Sequence, residues 1–182
     1  MKQRRRVAAY GISRDAEGRV LLVRASVVAA VAFLAVLVSE AWLVLLYRAG
    51  VALRGSTVGS AGWLGDVATT ALRIAAVAAL FALVAYGVAM IGRSSVFGIA
   101  ILFGDLVAVE GFLASMWFTL RRWALVRAAI ASVTGHPIAD FNPGTDTTIV
   151  LYTPARGWVV LAGYAVALLL LALVAFRARD VN

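Results

Sequence analysis

No cysteine occurs among the 182 residues, which removes disulfides, thiolate metal sites and cysteine nucleophiles together. His136 is the only histidine, so a histidine-based metal cluster is excluded as well. Lysine is as scarce: Lys2 stands alone, and a phosphate-cradling loop ending in Gly-Lys-Ser/Thr has no place in the chain. No cofactor, no metal site and no enzymatic activity are therefore expected, and any use of ATP falls to another subunit. Proline is confined to Pro137, Pro143 and Pro154, all in one stretch. Charge is thin too: 14% of residues are Asp, Glu, Lys or Arg, against about 25% in ordinary soluble domains.

What fills the chain is apolar. Hydrophobic residues make up 63% of it and the mean hydropathy is +0.95. A soluble domain of this size has too little interior to hide so many apolar side chains, and disorder is incompatible with the same composition. The class left is an all-α polytopic membrane protein, with room for about four spans of roughly 20 residues. Four apolar runs answer to this: 27–47, broken only by Glu40; 74–91; 96–120, carrying Asp105 and Glu110; and 157–176. None contains proline. The start is a poor signal peptide, because some twenty mixed residues separate Arg6 from the first long apolar run, so that span is expected to stay in the mature protein.

Residues 1–26 form a basic N-terminal segment distinct from the transmembrane domain, 27–182. Val7–Arg14 and Arg19–Arg24 read as two short strands joined by Asp15-Ala16-Glu17-Gly18, a β-hairpin; Gly18–Arg24 could equally begin a helix. Gly50–Gly65, with five glycines, reads as a loop, as does the proline-containing stretch after Thr134. Trp123, Val126, Ile130 and Val133 recur at helical spacing beside Arg122 and Arg127, which predicts a short amphipathic helix at the membrane interface.

The net charge of +8 arises from 17 cations, of which 16 are Arg, against 9 acids. They flank apolar runs and form no stripe, so a nucleic-acid partner is not expected and a lipid bilayer is. With both termini inside, four spans put Lys2, Arg4, Arg5, Arg6, Arg14, Arg19, Arg24, Arg93, Arg177 and Arg179 in the cytoplasm. Arg48, Arg54, Arg73, Arg121, Arg122, Arg127 and Arg156 then lie outside, seven against ten. The positive-inside rule favours this orientation in the plasma membrane.

The intramembrane acids Glu110, Asp105 and Glu40 are the candidate site residues. Asp105 and Glu110 sit within roughly 5 Å of the midplane of their span, and Glu40 lies in the outer half of the first. A charge at such depth costs about 2.5–3.5 kcal/mol on insertion scales. Two readings stay open: hydrogen-bonded packing elements between helices, or groups on a transport path. Five residues on a regular α-helix subtend about 140°, so Asp105 and Glu110 are not expected to face one partner. Small residues at four-residue spacing (Ala100, Gly104, Ala108; Gly111, Ser115; Ala75, Ala79; Ala78, Ala82) are candidate helix-packing ridges. His136, between Gly135 and Pro137, reads as a polar surface residue.

Gly92-Arg93-Ser94-Ser95 between two apolar runs and Gly104-Asp105-Leu106-Val107-Ala108-Val109-Glu110 lead to an outward segment with Thr134-Gly135-His136-Pro137. The chain then ends in Val174-Ala175-Phe176-Arg177-Ala178-Arg179-Asp180-Val181. Over residues 68–182 this resembles the C-terminal part of an ABC-2 type transporter permease. The resemblance implies an exporter subunit that works as a dimer with a second permease subunit and an ABC ATPase subunit. It also implies a Glu at the place of Glu110. That family has six spans and this chain four, so a truncated permease is expected. Residues 4–26 resemble instead the opening hairpin of a Nudix hydrolase. The Arg-Glu and Glu-Glu pairs of that family's catalytic box occur nowhere here, so the resemblance brings no hydrolase activity. The alternatives are a non-transporting membrane accessory subunit, or a defunct Nudix–permease fusion joined near Gly18–Ala25.

Overall fold

The computed structural model describes residues 2–55, 62–105, 116–142 and 144–179, together with Ala108, Glu110 and Phe112; side chains are described from Gly18 onward, those of Phe118 and Arg179 excepted. Three long helices dominate: α1 (Lys2–Leu53), α2 (Trp63–Gly92) and α6 (Pro154–Arg179). Between α2 and α6 come α3 (Ser95–Gly104), the one-turn α4 (Phe118–Arg121), α5 (Leu125–Thr134) and the strands β1 (Ile138–Asn142) and β2 (Thr147–Tyr152).

Three helical segments, Gly18–Leu53, Trp63–Gly92 and Pro154–Ala178, are long and apolar enough to cross a membrane. They contain the expected runs 27–47, 74–91 and 157–176. Their outer surfaces are fit for lipid and not for water: Val38 is 69% exposed, Trp42 61% and Val159 71%. Contiguous apolar surface of this extent marks contact with a membrane or another protein. The chain is accordingly a helical membrane protein.

The hairpin expected within 7–24 is not formed; α1 runs without a break from Lys2. Ala8, Ala9, Ala16, Glu17 and the arginines are good helix formers, and a helix nucleated in the apolar run propagates into such a flank without a second nucleation cost. Gly18 inside the helix costs only about 1 kcal/mol relative to Ala. The glycine-rich stretch is likewise shorter than expected, because α1 continues to Leu53 and α2 starts at Trp63.

The run 96–120 does not form one regular helix among the described residues. α3 has ten residues, about 15 Å of rise, or half a hydrocarbon core. Asp105, Ala108, Glu110 and Phe112 then lie in wider π-helical turns, before α4 begins at Phe118. The ridge of Ala100, Gly104 and Ala108 is exposed, and the close approach falls on Gly98 instead. A Cβ at Gly98 would stand 3.1 Å from the Ala89 Cβ and 3.2 Å from the Ala85 carbonyl oxygen, so α3 folds back along α2. Ala75 is fully buried, as its ridge predicts; Gly111 and Ser115 lie outside the described residues.

The direction of the long helices follows from their contacts. Val77 of α2 shares a buried cluster with Val160 and Leu161 of α6, and further along both helices Gly87 meets Leu168. α2 and α6 therefore run the same way. α1 packs on α2, and its Gly18 lies beside Leu173 and Arg177 near the end of α6. The segment joining α2 to α6 has to travel back along the bundle between them.

At the other end sits the core, built from Val77, Leu125, Ala128, Ala131, Leu151, Tyr152, Val160 and Leu161. The predicted short helix is α5. Its buried face is Leu125, Ala128, Ala131 and Ser132, while Trp123 and Ile130 of the predicted apolar stripe are exposed. Small residues thus face the bundle and large ones face outward, the arrangement close packing in lipid favours.

Much of the stretch expected to be a loop is a β-hairpin. β1 and β2 pair antiparallel, from Ile138 opposite Tyr152 to Asn142 opposite Thr147. Thr147-Thr148-Ile149-Val150 is rich in β-branched residues that suit a strand. The Asn142 Oδ1 accepts the Gly144 N–H at 3.1 Å, an Asx-type closure of the turn. The prolines lie outside both strands, and Pro154 opens α6, where its missing N–H costs nothing.

Gly157 is where α6 touches α5 most closely: a Cβ there would lie 2.5 Å from the Ala128 carbonyl oxygen and 2.6 Å from the Ser132 Oγ. Nothing stands within 4 Å of the same position at Gly163. Gly157→Val is expected to destabilise the protein by about 1–3 kcal/mol through overpacking, and Gly163→Val to leave it nearly unchanged. Thermal unfolding of both variants in detergent checks this.

Candidate functional site

Residues 121–127, from the end of α4 into the first turn of α5, are where most long-range polar contacts among the described residues converge. The first turn of α5 has backbone N–H groups without intrahelical partners, and its N-cap is Ala124, whose methyl side chain cannot accept from them. Glu110 supplies the cap from a distant part of the chain. Its two carboxylate oxygens accept the Val126 N–H at 2.7 and 2.9 Å. A carboxylate at a helix N-terminus also meets the positive end of the helix dipole.

The carbonyls of the same turn are held as well. The buried Tyr152 hydroxyl of β2 donates to the Ala124 carbonyl at 3.0 Å, and the Tyr164 hydroxyl of α6 donates to the Trp123 carbonyl at 3.3 Å. Burial pushes the Tyr152 phenol up to about 12, so it remains a donor throughout the physiological range. The Arg156 guanidinium lies 5.7 Å from the centre of the Tyr152 ring, within cation–π range. On the flanks, one oxygen of Asp140 in β1 accepts from Arg121 at 2.8 Å and from Arg127 at 2.6 Å. The Arg127 hydrogen bond, reinforced by Arg121, holds the Asp140 carboxyl below the usual carboxylate range.

The expected acids distribute unequally. Asp105 and Glu110 line one pocket of about 330 Å³ whose other walls include Phe81, Leu102, Phe103 and Leu125. They border one space, although a regular α-helix would set residues five apart about 140° from each other. Asp105, Ala108 and Glu110 are themselves in π-helical turns, and i→i+5 hydrogen bonding brings residues five apart toward one face. Glu40 is elsewhere, in a groove of about 560 Å³ between α1 and α2 walled by apolar residues such as Leu37, Val44 and Leu64. The His136 Nδ1 lies 2.8 Å from the Thr134 carbonyl, and the residue is exposed. Among the described residues, no three His, Asp or Glu stand together to hold a metal ion.

Arg121, Arg127, Asp140 and Tyr152 were not singled out by sequence reasoning. The period-two placement of Ile138, Asp140 and Asn142 on one face of a strand, with Ala139 and Phe141 on the other, was the one available signal. It was masked by the neighbouring prolines. No family model matches the chain, and neither curated proteins nor solved structures yield a match.

Two outcomes follow from these contacts. Glu110→Leu leaves the Val126 N–H without its acceptor and is expected to cost about 1–3 kcal/mol of stability. Glu110→Gln keeps an amide oxygen that can accept and is expected to lose less than half as much, by thermal unfolding of matched preparations. Because the folded-state pKa of Asp140 is depressed, its contribution is fully present above the ordinary aspartate value and is lost as the pH falls below about 4. Asp140→Asn should flatten the stability–pH curve in that acid range and leave its shape near neutrality unchanged.

Proposed function

We propose that the chain is a membrane-spanning permease subunit of an ABC-2 type exporter. It crosses the plasma membrane four times with both termini in the cytoplasm, and a separate ATPase subunit hydrolyses ATP. The carrying observation is that α2 and α6 run side by side in one direction, so the chain must return between them. α3 lies back along α2, and the pocket shared by Phe81, Asp105, Glu110 and Leu125 continues that path toward α5. This supports a third crossing made of a short helix and wider turns, followed by α6 as the fourth. Irregular backbone at membrane depth is tolerated only where protein or a polar path covers it, and here Phe81 of α2 with Leu125 and Val126 of α5 stand against it.

The order of parts fits the resemblance to the permease family: a Gly-Arg-Ser-Ser turn after α2, the Gly104–Glu110 stretch, an outward segment, then a final span ending in basic residues. In this reading α5 and the hairpin form the outward segment. Glu110 joins it to the third crossing, so a shift of α3 would be passed to α5. Partners are an ABC ATPase and a second permease copy. A non-transporting accessory subunit is the second reading, favoured by the use of both Glu110 oxygens in capping.

Topology is tested by single cysteines, which the native chain leaves unconfounded. In intact cells Thr145→Cys should react with an impermeant thiol reagent, and Ala178→Cys only after permeabilisation. Labelling of both positions, or only of Ala178→Cys, contradicts the four-crossing arrangement. Co-elution with an ATPase in mild detergent supports the exporter reading, and its repeated absence favours the accessory subunit.

A further inference from the structure

Four arginines collect at the end of the bundle opposite the hairpin. A Cβ at Gly18 would stand 3.7 Å from the Arg177 guanidinium, which brings Arg19 of α1 to the level of Arg177 of α6. Gly87 of α2 meets Leu168 of α6. From that contact Arg93 lies about 9 Å further along and Arg177 about 13 Å, so the two differ in level by about 5 Å. Arg24 is five residues from Arg19, about 7 Å along α1. That separation matches the thickness of one headgroup layer, about 5–8 Å.

All four side chains are exposed. The ion pairs among the described residues are those of Asp140 with Arg121 and Arg127, at the other end. Among the described side chains no acid pairs with these four, so like charges gather here and each would be stabilised by an anion. Arg93 is, in addition, held at φ 57°, a backbone region that favours glycine. Lys2, Arg4, Arg5, Arg6 and Arg14 precede on α1, against Asp15 and Glu17.

The surroundings decide which anion. Val20, Leu22 and Val23 are at least half exposed between Arg19 and Arg24, and Val174 is 64% exposed just before Arg177. Cations interleaved with outward apolar side chains belong at the boundary between acyl chains and headgroups, where an arginine stem lies in the apolar layer and its head reaches phosphate. A soluble acidic partner or free phosphate would leave those apolar groups uncovered. We infer that Arg19, Arg24, Arg93 and Arg177 form a collar, drawn from three helices, that binds the headgroups of anionic phospholipids. The inference rests on the membrane-spanning helices alone and stands whether or not the chain transports anything.

The test uses the full chain purified in a neutral detergent, titrated with phosphatidylglycerol or with phosphatidylcholine of the same acyl chains, and read by thermal unfolding. Phosphatidylglycerol should raise Tm in a salt-sensitive manner and phosphatidylcholine should not. Each Arg→Gln change in the collar should weaken the apparent phosphatidylglycerol affinity roughly fivefold, the equivalent of about 1 kcal/mol per charge. The fourfold Arg→Lys variant should keep the response, as should Arg54→Gln, a change at an exposed position at the other end. Circular dichroism verifies that each variant is folded; if the fourfold Gln variant does not fold, the single variants carry the comparison. Equal stabilisation by both lipids, by inorganic phosphate, or by polyglutamate at the same charge concentration overturns the inference, the last in favour of an acidic protein partner. A response that survives in the folded Gln variants overturns it too.

Discussion

A backbone N–H or C=O kept from water needs a partner within the protein, and this constraint bears on every place where the chain departs from a straight helix. The departure comes after Gly104, where α3 ends and the turns widen. A second exposed end is created at Leu125, where α5 begins behind an alanine. One carboxylate serves that end: Glu110 reaches the Val126 N–H with both oxygens. Tyr152 and Tyr164 take the carbonyls on the other side of the same turn. Side chains from the third segment, from β2 and from α6 thus fix one short piece of backbone, and the hairpin is tied to it again through Asp140.

Packing elsewhere rests on small residues. Gly87, Gly98 and Gly157 let helices meet backbone to backbone, and Ala128 and Ala131 are fully buried. Valine, leucine and tryptophan line the outside. In water that would be inside-out; in lipid it follows from the loss of any hydrophobic drive between helices, leaving close contact and polar bonds to hold them.

Much of this was legible in the sequence. Length and apolarity identify three long helices, since nothing else accommodates 27–47, 74–91 and 157–176. The short helix after Trp123 and the placement of Glu110 among other protein groups were also readable. The turns at Asp105–Glu110 were not, because π-helical geometry has no distinct residue pattern, and the 140° argument assumed a regular helix. The β-hairpin was hidden by prolines that in fact flank its strands. The helix through residues 7–24 was hidden because an arginine-rich, mixed stretch carries weak periodicity of either kind. Asp140, which among the described residues pairs with two arginines, is not legible as a site because its partners lie 13 and 19 residues away in sequence.

The central claim is that Glu110 holds the start of α5 against an irregular third segment. Hydrogen–deuterium exchange in lipid nanodiscs addresses it directly, at the amides of residues 125–128. The account predicts strong protection there in the wild-type protein and its loss in Glu110→Leu, with α2 and α6 still protected. Equal protection of those amides in both proteins would contradict it.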